Sequence, residues 1–437
     1  MACWNDGLWL AWFQSLNALE YCLPLTLADC IQLDAHEPGQ PSWAQAGDCF
    51  DPGTPGTLYF DANSIGPMPR TALVKMQTVL QQGWAQARRR SWNELDWLEQ
   101  PRKLGAAIAH LIGADMADVR VTDTTSVNQY KLLRYALHIS APRRVIVLER
   151  HVFPSNRYVA EGIARDHLAE LRFIDDVSDL TAALAPGDVA VVALSHVDYR
   201  SSTRLNMAEA NRCIQAAGAM SLWDLSHSAG AVAIALRDCH ADLAVGCGYK
   251  YLCGGPGAPA FIYVHPRWAD AAWPAIAGWM GHADTFAFEA DYRPGSGTDR
   301  FLVGTPPVLA NTAFSAAADL WREVDPVALD QRHCSLTDTL IQLFDEQCAT
   351  WPLRLTSPRN HAQRGGHVAL QFEGASALAQ ALVDKGVIVS SRKPDALRWG
   401  VHPLTTTHQQ LWTAVQVLRQ LLESGSWQDP RFARPMV

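Results

Sequence analysis

No two cysteines in this chain are spaced as CxxC and none sits in a histidine-spaced cluster, although it carries 10 cysteines in 437 residues. That scatter argues against a zinc site and reads as reduced thiols, so a cytoplasmic location is expected. Positive charge is scarce as well. Lys and Arg number 36 against 44 Asp and Glu, a formal charge of -8 with a pI near 6.0, which argues against nucleic acid or an anionic membrane as partner. The triplet Arg88 to Arg90 reads as a solvated helix face or a local interface. No apolar run reaches the ~18 to 20 residues of a membrane span. The apolar, tryptophan-rich first thirty residues come nearest, but they lack a basic n-region and are interrupted by Asp6, Gln14, Asn17 and Glu20. They read as an amphipathic helix over a subunit surface, with a mis-assigned start codon as the alternative. Internal repeats and low-complexity tracts are missing too.

What is present suits a large enzyme. With 48% hydrophobic residues the chain can bury two cores, one large and one small. The stretch Pro38 to Thr57, dense in proline and glycine, reads as a linker before a strand at Leu58 to Phe60. Helical and apolar strand segments then alternate, with strands at Val119 to Thr122, Arg144 to Glu149, Val189 to Leu194, Met220 to Trp223, Leu243 to Val245 and Ala260 to Val264. Such alternation predicts a mainly parallel, doubly wound α/β sheet. After Pro307 the pattern predicts helices over Val308 to Val324 and Leu329 to Thr350. Strands follow at His367 to Phe372, Val387 to Ser390 and Ala396 to Trp399.

Within this pattern Val245 to Gly257 reads VGCGYKYLCGGPG, and WDLSHSAG precedes it at Trp223 to Gly230. A lysine next to glycines is more often a solvated loop residue. Here Asp224 and Lys250 each follow an apolar strand, at the edge of the sheet where α/β proteins bind ligands. Lys250 could therefore form a Schiff base with pyridoxal phosphate (PLP), and Asp224 could pair with its ring nitrogen.

The residues resemble the kynureninases, PLP enzymes of fold type I, in nine ordered blocks: FDANSIGPMPR (Phe60 to Arg70), TDTTSVNQYKLL (Thr122 to Leu133), FPSN (Phe153 to Asn156), SHVDYRSS (Ser195 to Ser202), WDLSHSAGAV (Trp223 to Val232), GCGYKYLCGGPGAPAF (Gly246 to Phe261), GWMGH (Gly278 to His282), FLVGTPP (Phe301 to Pro307) and RWGVHPL (Arg398 to Leu404). The resemblance spans about Thr26 to the C-terminus. It implies a large domain with a mainly parallel seven-stranded sheet, over 58–307, and a smaller α+β domain built from 1–57 and 308–437. It also implies an obligate homodimer with its active site at the subunit interface.

The resemblance further implies site residues. Thr125 and Ser126 would hold the phosphate at a helix N-terminus, a place that favours anions. Phe153 would stack on the ring, while Asn156, Ser195, Asp224 and His227 would contact the cofactor. Tyr249 would hydrogen-bond the phosphate and relay protons, and Trp279 and Thr305 would reach in from the second subunit. Arg398 would bind the substrate carboxylate through its planar fork, with Asn63, Ser64 and Trp92 lining the substrate. Lys250, Tyr249 and Asp224 are the expected catalytic set. The implied reaction is hydrolysis of the Cβ–Cγ bond of L-kynurenine or 3-hydroxy-L-kynurenine to anthranilate or its 3-hydroxy analogue and L-alanine. Its setting would be tryptophan catabolism with NAD biosynthesis, or a secondary-metabolite branch.

Several positions depart from the family pattern. Asn156 stands where an aspartate is expected, Ser201-Ser202 and Leu205-Asn206 replace threonine-glycine and histidine-aspartate, and Thr405 replaces a tyrosine. A divergent hydrolase acting on a modified kynurenine is therefore an alternative. A cysteine desulfurase-like lyase and an inactive PLP-binding homologue are further ones, although Cys247 and Cys253 lie too close in sequence to Lys250 for a mobile-loop nucleophile.

Overall fold

The computed structural model describes residues 24–36 and 43–433; the expected N-terminal amphipathic helix falls largely outside them. Eight strands form the first part of the chain: β1 (Leu58–Tyr59), β2 (Val119–Val121), β3 (Val145–Glu149), β4 (Glu170–Ile174), β5 (Val189–Ser195), β6 (Met220–Asp224), β7 (Leu243–Gly246) and β8 (Phe261–Val264). Seven of them make one sheet in the order β2-β8-β7-β6-β5-β3-β4, in which β8 alone runs antiparallel to its neighbours. The central strands are apolar on both faces because helices cover both; VAVVAL of β5 is buried throughout. Strand β4 was not expected. It is an edge strand, ELRFI, whose side chains are mostly half-buried, so its pattern in the sequence is weak.

Five more strands follow: β9 (Arg354–Leu355), β10 (His367–Gln371), β11 (Val387–Ile388), β12 (Ser390–Arg392) and β13 (Ala396–Gly400). An antiparallel sheet runs β12-β13-β10-β9, and β1 pairs with β11 in parallel. The apolar cores do not divide at the expected boundaries. Phe60 packs with Leu336, Val387 and Trp399 in the smaller core, whereas Phe314, Ala317 and Trp321 of the helix Val308–Trp321 pack with the large sheet. That helix follows Pro307 directly, and its alanine-rich face fits closely against the helices Thr71–Thr78 and Gln100–Ala109. A short helix, Trp43–Asp48, interrupts the expected linker. Arg88, Arg89 and Arg90 are all exposed, and among the described residues no helix is long and apolar enough to cross a membrane.

Candidate functional site

Parallel strands place their C-terminal ends on one edge, and the register brings the chemistry together there. Ser195 ends β5 beside Asp224, which ends β6, and Asp224 pairs in turn with Val245 of β7. Four residues after β7, Lys250 sits in a turn closed by Cys253 N–H donating to the Lys250 carbonyl and Gly254 N–H donating to that of Gly248, both at 2.8 Å. The backbone is tightly enclosed. A Cβ on Gly66 would fall 2.2 Å from the Lys250 carbonyl oxygen, and one on Gly248 would fall 2.4 Å from that of Pro259. Only glycine fits at either point.

Across the sheet edge, Thr124 caps the helix Thr125–Ile139 by accepting from Val127 N–H. The first N–H groups of a helix have no intrahelical acceptor, so those of Thr125 and Ser126, with two hydroxyls, are left to an anion. Between this helix end and Lys250 lies a cavity of about 160 Å³. Its walls include Thr125, Ser126, Phe153, Asn156, Ser195, Asp224, His227, Tyr249 and Lys250. Thr124, which precedes Thr125 in the hydroxyl-rich run that opens the helix, lines it too, as do Ser155, Val197, Tyr199 and Ser226, which were not among the expected site residues. Tyr199 packs edge-on against Phe153, with ring centroids 5.2 Å apart; its place in the SHVDYRSS block was the available signal.

Electrostatics in the cavity follow burial. Lys250 Nζ lies 3.0 Å from His227 Nε2, and 5.8 Å from the Phe153 ring centroid. Burial, then the nearby Lys250 charge, pushes His227 well below its ordinary value, so it is a neutral imidazole, and among the described residues its Nδ1 has no partner. Burial also raises the Tyr249 phenol to about 12, with Cys247 and Asp224 adding to the shift, so it stays protonated at neutral pH. Asp224 accepts from Ser226 N–H at Oδ1, 2.9 Å, and from Asn156 Nδ2 at Oδ2, 2.8 Å. A lysine, a carboxylate and an anion-binding helix end around one cavity, with an imidazole nitrogen left unsatisfied, form a donor set that fits PLP.

The remaining expected residues lie outside this cavity. Arg398 on β13 is 1% exposed and donates to the Tyr199 carbonyl at 2.7 Å, to Ser390 Oγ at 3.1 Å and to Ser64 Oγ at 3.4 Å. Among the described residues its Nε has no partner, and no carboxylate forms an ion pair with it. Burial and the neighbouring Arg392 lower it to about 10, so it remains a cation. Asn63 is buried against Gly400, and among the described residues both its amide atoms are unpartnered. Trp92 packs edge-on to Trp97, 5.2 Å between centroids, away from the cavity walls. Trp279 and Thr305 are exposed on one platform, where Met280 N–H donates to the Val303 carbonyl. Within a single chain the structure does not bring Trp92, Trp279 or Thr305 to the cavity.

Known proteins share this fold and much of this sequence. A family model, Kynureninase C-terminal domain, matches residues 329–418. A cysteine desulfurase from Thermococcus onnurineus NA1 superposes with a TM-score of 0.72 at 20% identity, covering 87% of this chain and 98% of that one, which shows a shared fold. A kynureninase of Burkholderia pseudomallei is 41% identical over 384 residues, 86% of this chain and 92% of the relative. One of Pseudomonas fluorescens is 39% identical over 414 residues, 93% of this chain and 98% of the relative. Identity of that order along nearly the whole length of both proteins means that the chain belongs to the kynureninase family.

Proposed function

We propose that the protein hydrolyses the Cβ–Cγ bond of L-kynurenine or 3-hydroxy-L-kynurenine, releasing L-alanine and anthranilate or its 3-hydroxy analogue, with PLP carried on Lys250. The observation that carries this reading is the convergence of Lys250, Asp224 and the N-terminus of the helix Thr125–Ile139 on one cavity. When bound, PLP supplies an electron sink for the pair left at the substrate α-carbon. Asp224 is placed to hold the ring nitrogen, Thr125 and Ser126 the phosphate, and Phe153 one ring face. Arg398, buried and with no carboxylate ion-paired to it among the described residues, is suited to the substrate carboxylate, because a guanidinium kept from water gains most from a planar acid.

The residues then divide the proton work. Lys250 takes the α-proton, and His227, a neutral imidazole 3.0 Å from Nζ, accepts without competing for positive charge. Water adds to the γ-carbonyl carbon, the Cβ–Cγ bond breaks, and the electron pair left on Cβ takes up a proton. Tyr249 is the candidate donor, since its phenol stays protonated near neutral pH. Trp279 and Thr305 complete the site of a second subunit in a homodimer, a reading supported by their exposure together with that of Phe286 and Phe288.

A desulfurase-type activity has less support. Cys247 and Cys253 are buried, and burial raises both thiols, so neither is a thiolate. The test is the release of fluorescent anthranilate by the PLP-loaded protein given L-kynurenine and 3-hydroxy-L-kynurenine in parallel, with Lys250→Ala as blank. Turnover of either by the parent alone is the expected result. No turnover despite cofactor binding through Lys250 would move the reading to a modified kynurenine.

A further inference from the structure

Asn156 is 5% exposed in the first turn of the helix Pro154–Arg165, and its position is held twice through the backbone. Its N–H donates to the Phe153 carbonyl at 2.9 Å, and its carbonyl accepts from Gln129 Nε2 at 3.2 Å. The side chain is thereby aimed at the end of β6, where Nδ2 donates to Asp224 Oδ2 at 2.8 Å. With Ser226 N–H on Oδ1, both oxygens of Asp224 have a fixed donor, and the plane of the carboxylate is set. An amide N–H can donate but cannot take up a proton, so Asn156 fixes the geometry without adding a second acid.

We infer that Asn156 is a positioning residue, which holds the Asp224 carboxylate in the orientation that meets the cofactor ring nitrogen, and does so by a means that does not titrate. The inference rests on the PLP reading of the site. It also gives the departure from the family pattern a role, since an aspartate here would put two carboxylates in hydrogen-bond contact and make them share a proton. Among the described residues Tyr249 and Cys247 also face Asp224, both held neutral by burial, and the same cavity is walled by Lys250 and by His227, whose imidazole is neutral.

The experiment uses the full chain, stripped of PLP and titrated with it from pH 5 to 9, following tryptophan fluorescence and the visible absorbance of the bound cofactor. Asn156→Ala should weaken PLP binding roughly tenfold, the scale of one hydrogen bond to a charged group, while the apo-protein melting temperature stays near the parental value. In an Asp224→Ala background the same substitution should have no further effect on affinity. Asn156→Asp should add a titration to affinity and spectrum between about pH 5 and 8 that the parent and Asn156→Ala lack. Parental affinity in Asn156→Ala, an undiminished effect in the Asp224→Ala background, or a flat pH profile for Asn156→Asp would each overturn the inference. If the unsubstituted protein shows no visible band with PLP, the cofactor reading fails and this one with it.

Discussion

Single residues carry two predictions. Glu149, at the end of β3, accepts from Ser195 N–H at 3.2 Å, and burial raises its carboxyl from 4.5 to about 7. A raised acid favours the folded state while it is protonated, so this contribution is complete below about pH 4.5 and is lost as pH rises through about 7. Glu149→Gln keeps an acceptor for Ser195 but cannot ionise. Urea unfolding should show it ~1–3 kcal/mol more stable than the parent at pH 8 and nearly equal at pH 4.5; an equal difference at both pH values would count against it. Arg398→Lys supplies a point charge in place of a planar fork, so KM should rise roughly tenfold or more with a smaller change in kcat. At this scale the candidate site was largely legible. Asp224 and Lys250 stand out because each follows an apolar strand, and Thr125 and Ser126 because they open a helix. Ser226 and the contact of Glu149 with Ser195 were not legible, since the first lies in a turn placed by the sheet edge and the second depends on the pairing of β3 with β5, far apart in sequence.

Elements decide how firmly these side chains are aimed. The helix Thr125–Ile139 depends on the Thr124 cap, and Thr124→Ala should cost about 1 kcal/mol of stability. Because the same turn faces the cavity, PLP affinity should fall along with the urea midpoint, and a loss of one without the other would separate cap from cup. The periodic pattern found the buried strands because they are continuous and apolar, and found the helices Val308–Trp321 and Pro326–Gln347 closely. It missed β4, whose mixed side chains meet only one neighbour, and the helix Trp43–Asp48 within a proline- and glycine-rich stretch. Weak patterns of that kind are settled by packing.

At the scale of the whole molecule the proposed homodimer carries its own predictions. Leu73, Val74, Trp84, Trp279, Phe286 and Phe288 are exposed apolar side chains, and the rings of Trp279, Phe286 and Phe288 lie against one another, a contiguous apolar patch of the kind that marks an interface. Sedimentation should accordingly give twice the chain mass. Mixing Lys250→Ala chains with chains carrying Trp279→Ala and Thr305→Ala should restore about a quarter of parental activity, because half of the random dimers then hold one intact site. Mixtures as inactive as their components would mean that sites do not span subunits. By itself the sequence determined the strand and helix periods, the family, and the residues whose chemistry suits PLP, because these depend on local pattern and side-chain type. Only the tertiary structure decided that Phe60 serves the smaller core, that Asn156 reaches Asp224, and that Arg398 is buried beside Tyr199. Those facts depend on contacts between residues 68 to 339 positions apart, and no local period encodes such distances.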